Sequence, residues 1–217
     1  MQMARKHEKE PIVRRSCELR AEDTEAGKEV VFTPVVFNQE TVIKDWWSGE
    51  EYREIIAPTA LDNCDMSDVL FCVNHEYERV PLARSKNGRG TLKLEVTPEG
   101  LSARTVLDVE GNPEAATLYS AVKRGDITGC SFMFRVRGDR WSDLSTESPL
   151  RTIDDISIIH EVSAVNDPAY PQTSIDARSS EETDFSPLEE ARARAEETAR
   201  QQALELEKAK NTNKVRL

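Results

Sequence analysis

Three short clusters in this chain carry the residue types of acyl-transfer chemistry. The first is Lys123 to Phe134, KRGDITGCSFMF, in which a Gly-punctuated turn runs into an apolar strand with Ser131 at the junction. The second is Asn74-His75-Glu76-Tyr77, at the end of the apolar run Val69 to Val73. The third is His160-Glu161-Val162-Ser163, followed by Asp167-Pro168-Ala169-Tyr170-Pro171. A serine, a histidine and a carboxylate on separate strand ends can form a nucleophile, a base and an orienting group.

Each residue also has a plainer reading. A serine after a Gly-rich turn commonly serves turn hydrogen bonds, and Met133 stands where a nucleophile elbow would carry its second glycine. A zinc helix would need a second histidine four residues after His75, and position 79 is Arg79. No metal or cofactor site is expected, which leaves His75 as a structural histidine or a base. His7 lies in a charged terminus and is set aside. On the last strand, period-two alternation puts His160 with Ile156, Ile158, Val162 and Ala164, an apolar face. Glu161 shares the other face with Ser157 and Ser163, so it is the better candidate to orient His75. His160 is the alternative, through a bulge that would re-aim it.

Cys130 adjoins Ser131, but neighbouring strand residues point to opposite faces, so only one of them can face a cleft. The four cysteines, Cys17, Cys64, Cys72 and Cys130, show no C-x-x-C spacing. They read as small buried hydrophobes and not as ligands or bridges.

The elements that must hold these residues are mostly short strands. Val30 to Phe32, Val35 to Phe37 and Val69 to Val73 are β-branched and aromatic runs. Thr91 to Val96 and Leu101 to Leu107 flank the turn Thr97-Pro98-Glu99-Gly100 as a hairpin. Ala115, Leu118, Tyr119 and Val122 make one stripe of a helix within 111–125, stopped by Gly125. Ile153 to Val165 reads as a last long strand. The pattern predicts an α+β, mainly β domain closed around a small barrel.

Composition changes near Asp176. Ser186-Pro187-Leu188-Glu189 reads as a capping box opening a helix of charged residues and alanine, with sparse leucines. Residues 1–11 are expected to be disordered, 12–175 to form the domain, and 176–217 to be a linker and charged helical tail. That tail is read as a solvated helix or one that binds a partner. The chain has 217 residues and a net charge of −11, which argues against direct nucleic-acid binding. No apolar run reaches the length of a membrane span. The first residues lack the apolar centre of a signal peptide, so the chain is expected to stay where it is made.

Taken in order, these segments resemble the caudovirus prohead serine proteases. The matching residues are Asn74-His75-Glu76 with Pro81-Leu82-Ala83-Arg84, then Arg124 to Phe134, then Glu161 to Val165 with Pro168-Ala169-Tyr170-Pro171. The resemblance implies a fold similar to the herpesvirus assemblins, a distorted β-barrel surrounded by helices. It implies Ser131 as nucleophile and His75 as general base. The third member is Glu161 or His160, with strand parity favouring Glu161. It further implies an endopeptidase acting in the assembling prohead, in the host bacterial cytoplasm. Its substrates would be the scaffold-like part of the major capsid protein, other internal proteins and its own tail. The herpesvirus comparison implies that homodimerisation can matter. The rival reading is a non-catalytic assembly or scaffold protein.

Overall fold

A computed structural model describes residues 12–45, 51–166, 175–177 and 185–214. The segments 1–11 and 167–174, on which the disordered N-terminus and the Asp167–Pro171 motif fall, lie outside the described residues. The elements are β1 (Ile12–Thr24), β2 (Gly27–Val36), β3 (Thr41–Asp45), β4 (Glu51–Ile56), a 3-10 turn (Pro58–Leu61), β5 (Asp68–Val73), β6 (Ala83–Lys86), β7 (Arg89–Gly90), β8 (Lys93–Thr97), β9 (Gly100–Val106), α1 (Pro113–Arg124), β10 (Gly129–Ser142), β11 (Leu150–Val165), β12 (Ile175–Ala177) and α2 (Ser186–Lys214). The domain is α+β and mainly β, as its many short β-branched runs predict.

The expected closed barrel is not what forms. The pairing path runs β12-β3-β4-β11-β10-β1-β2-β9-β8 and its two ends do not meet; β5, β6 and β7 branch from β11. In the middle of the path, β1 changes partners. Its first half pairs with β10 over residues 12–18, and its second half pairs with β2 over residues 19–24. One long strand therefore hands the chain from one sheet to another. Leu101, Ala103 and Phe32 from one side pack with Phe71, Ile156 and Val162 from the other in a single core. The Phe32 and Phe71 rings stack at 5.0 Å across it. At the open edge, β8 carries Lys93 and Glu95 exposed, charges of the kind that discourage edge-to-edge pairing.

One local difference has a simple cause. Val30–Phe32 and Val35–Phe37 read as separate runs, yet a single strand, β2, holds most of both. The register against β9 shifts between Phe32 and Val35, around Thr33 and Pro34. Proline has no N–H to give the ladder, so a bulge absorbs it. The hairpin β8–β9 turns through Gly100, where a Cβ would lie 1.9 Å from the Val35 carbonyl oxygen.

Helix α1 sets the approach to β10. Asn112 caps it by accepting from the backbone N–H groups of Glu114 and Ala115. Leu118 and Val122 are buried on the predicted stripe. Gly125 ends it in the left-handed region at φ 79°, donating to the Ala121 and Val122 carbonyls. Asp23, at the end of β1, anchors this helix by accepting from Lys123 and from the Tyr119 hydroxyl at 2.9 Å. Hydrogen bonds from Lys123, Lys28 and Tyr119 hold its carboxyl well below the usual carboxylate range.

The helix expected from Ser186 is α2, which begins at that residue, so Ser186 lies in its first turn instead of before it. Its start is docked. Phe185 meets the rings of Tyr52 at 5.9 Å and Trp141 at 6.2 Å, and Leu188 is fully buried. Arg192 donates to the Leu144 carbonyl at 3.4 Å, and residues 193–205 are exposed. Leu188→Ala is expected to weaken this docking by about 2 kcal/mol or more. Hydrogen exchange should then quicken over the first turns of α2 while β10 and β11 keep their protection.

Candidate active site

The site is built on β5, β10 and β11, which lie side by side. In the antiparallel β10–β11 ladder Ser131 pairs with Ser163, and Met133 pairs with Glu161. Parallel β5 adds Leu70 opposite Glu161 and Cys72 opposite Ser163. Directly opposed residues present their side chains to the same face of a sheet. Ser131, Ser163, Met133 and Glu161 therefore share one face. Cys130 takes the opposite face and joins the core.

Beyond Val73 the chain turns back over that face. Asn74 and His75 both occupy the left-handed region, at φ 50° and 62°, which Asn and His enter more readily than most residues. Several bonds hold them there. The Asn74 N–H donates to the Ala164 carbonyl at 2.9 Å, and the Glu76 N–H to the Val73 carbonyl at 3.0 Å. The Asn74 side-chain oxygen accepts from the Asn166 N–H at 3.1 Å. Such a conformation costs about 1–3 kcal/mol per residue and persists only where the surroundings over-determine it. Here it lays His75 onto β11.

His75 Nδ1 contacts Glu161 Oε1. Its own N–H donates to Ser163 Oγ at 3.1 Å, and the Ser163 hydroxyl donates to Glu161 Oε2. Both oxygens of this carboxylate, whose side chain is only 1% exposed, are thereby engaged, while the imidazole is 18% exposed. An ionised carboxylate only accepts, so Nδ1 carries the proton and Nε2 is left as the basic nitrogen. Ser131, 4% exposed, stands one cross-strand pair from Ser163. Among the described residues no hydrogen bond joins its hydroxyl to His75. In unliganded enzymes nucleophile–base bonds are often long and tighten only with substrate.

His160 lies elsewhere. The register steps from Met133–Glu161 to Phe134–Ile159, so His160 is the extra residue of a β-bulge. That bulge breaks the expected face. Ile159 and Ile156 are buried in the core with Val162 and Ala164, whereas Ile158 and His160 line a cavity of about 410 Å³ beside Glu161 and Met133. His160 Nε2 accepts from Arg135 Nε at 3.2 Å.

Ser163 is the member of the hydrogen-bonded set that sequence reasoning passed over. Its signal is the Glu-x-Ser spacing, which puts the two side chains on one strand face. The cysteines also differ from expectation. Cys64 and Cys72 are free thiols, but Cys130 is disulfide-bonded. The β1–β10 register sets position 17, a cysteine, opposite Cys130, a proximity that linear spacing does not reveal. Burial pushes the Cys64 and Cys72 thiols up to about 12. At pH 8 both should stay protonated and resist iodoacetamide in the folded protein, then react fully in denaturant, as intact mass would show.

Among the described residues no group of His, Cys, Asp and Glu could hold a metal ion, and no helix is long and apolar enough to cross a membrane. A family model described as caudovirus prohead serine protease matches residues 15–186. No curated protein and no solved structure matches the chain.

Proposed function

Because the chain belongs to the caudovirus prohead serine proteases, we propose that it is an endopeptidase with Ser131 as nucleophile, His75 as general base and Glu161 as the group that orients the base. The observation that carries this reading is the fully engaged Glu161 carboxylate, which accepts from His75 and from Ser163 on the face that also bears Ser131.

In attack on a peptide carbonyl, His75 Nε2 takes the Ser131 proton as the oxygen–carbon bond forms. It returns that proton to the leaving amine as the peptide bond breaks. Glu161 holds the productive tautomer and stabilises the imidazolium. Ser163, by donating to Glu161 and accepting from the His75 N–H, acts as a positioning residue. Water then resolves the acyl-enzyme by the same route.

Inside the assembling prohead, in the host cytoplasm, the substrates would be the scaffold-like part of the major capsid protein and other internal proteins. Residues 12–175 serve as the protease domain. The charged segment 176–217 directs the enzyme into the prohead and is itself removed. Coexpression with the capsid protein of the same genome tests this by intact mass. The expected result is a capsid protein shortened at its N-terminus with the wild type and full-length with Ser131→Ala. Particles that form without truncation by either chain would favour a non-catalytic assembly role.

A further inference from the structure

The cavity beside the site is not used by the chemistry just described. It opens next to Met133 and Glu161, the next ladder pair on the face that bears Ser131 and Ser163. Residues two apart on a strand lie about 7 Å apart along it. That is the reach from a nucleophile to the side chain of a residue flanking the scissile bond.

Its walls are Leu70, Met133, Ile158 and Tyr77, and its volume is about 410 Å³. Its charges are already committed. Asp68 accepts from Arg84 through both of its oxygens, at 2.6 Å from Nε and 2.5 Å from Nη2. The Glu161 oxygens are taken by His75 and Ser163. His160 accepts from Arg135. A basic side chain entering here would find no open carboxylate. An acidic one would meet Glu161 at the wall and an Arg84 already neutralised. Burying either charge without a partner is costly, whereas an apolar side chain would cover the four apolar walls and leave the polar pairs intact.

Resting on the endopeptidase reading above, we infer that this cavity is the pocket that selects the substrate, and that it takes a large apolar side chain (Leu, Met, Phe or Tyr) adjacent to the scissile bond. Met133 and Tyr77 are specificity-determining residues for the reaction.

The full-length protein, incubated with a proteome-derived peptide library and mapped by mass spectrometry on both sides of each cut, tests this. The expected result is enrichment of large apolar residues at one position flanking the scissile bond. Met133→Trp, which fills the cavity, should lower the kcat/KM ratio of Leu over Ala peptides by about tenfold or more. Tyr77→Ala, at a half-exposed loop position, should relax the same preference. Because the readout is a ratio within one variant, partial loss of folded protein does not affect it. Preference for Lys, Arg, Asp or Glu, or an unchanged ratio in both variants, would overturn the pocket assignment while leaving the protease reading intact. If a fluorophosphonate fails to label wild-type Ser131 and no peptide is cut, both fall together.

Discussion

Ser131→Ala should abolish peptide cleavage, with kcat/KM falling at least about 10³-fold, while the fold survives. The size of the effect follows from the division of labour. Without the hydroxyl there is no acyl-enzyme, and what remains is binding and polarisation of the carbonyl, worth about 10³–10⁴ over water in other serine proteases. Folding should be nearly indifferent. The change removes one oxygen from a position on β10 whose backbone is held between β1 and β11. Thermal melting and far-UV circular dichroism of the two proteins should superimpose, and a progress curve with a cleavable peptide should be flat for the variant. A variant that kept a tenth of wild-type activity would remove Ser131 from the mechanism.

Glu161→Gln should cost about 10²–10⁴ in kcat. Glutamine keeps the shape but presents one oxygen and one NH₂ group. Ser163 and His75 both need an acceptor on this residue, and only one can have it. If the NH₂ faces the imidazole, Nδ1 must accept and the proton moves to Nε2, which then cannot take a proton from serine. If it faces Ser163, that hydroxyl must accept from it and loses the acceptor for its own proton. The group is fully buried, so stability should fall too, and the two effects need separating. A purely structural role would lower the melting temperature and leave kcat of the folded fraction unchanged. The orienting role predicts a collapse of kcat well below the melting transition, together with a changed pH–rate profile.

These effects concern residues whose types and positions were plain in the sequence. Ser131 stands out because it opens a readable apolar run, His75 because it follows one, and Glu161 because parity puts it opposite the core-facing Val162. Alternation alone does not place the bulge at His160, which the sequence offers only as the alternative that would re-aim that residue. Period-two counting assumes an unbroken ladder, and register shifts on β11 at His160 and again at Ser157 break it, leaving Ile158 and His160 on the cavity and Ile156 and Ile159 in the core. The hairpin β8–β9 and helix α1 were legible because turn glycines and a capping asparagine act locally. The open path of the sheet was not, because which strands pair is decided between residues distant in the chain. The disulfide at Cys130 escaped notice for the same reason.

The docking of α2 falls between these cases. Its start was marked by Ser186 and Pro187. Its anchor was not, since Phe185 meets Tyr52 on β4 and Trp141 on β10, residues far from it in the chain. The charged remainder of the helix carries no comparable apolar anchor among residues 193–205.

The most direct test of the central claim is covalent labelling. Wild-type protein, His75→Ala and Ser131→Ala would each be incubated with a fluorophosphonate, followed by intact mass and peptide mapping. The account predicts one adduct per chain on Ser131 in the wild type, labelling slowed at least about 10³-fold in His75→Ala, and none in Ser131→Ala. An adduct on another residue, or equal labelling of wild type and His75→Ala, would contradict it.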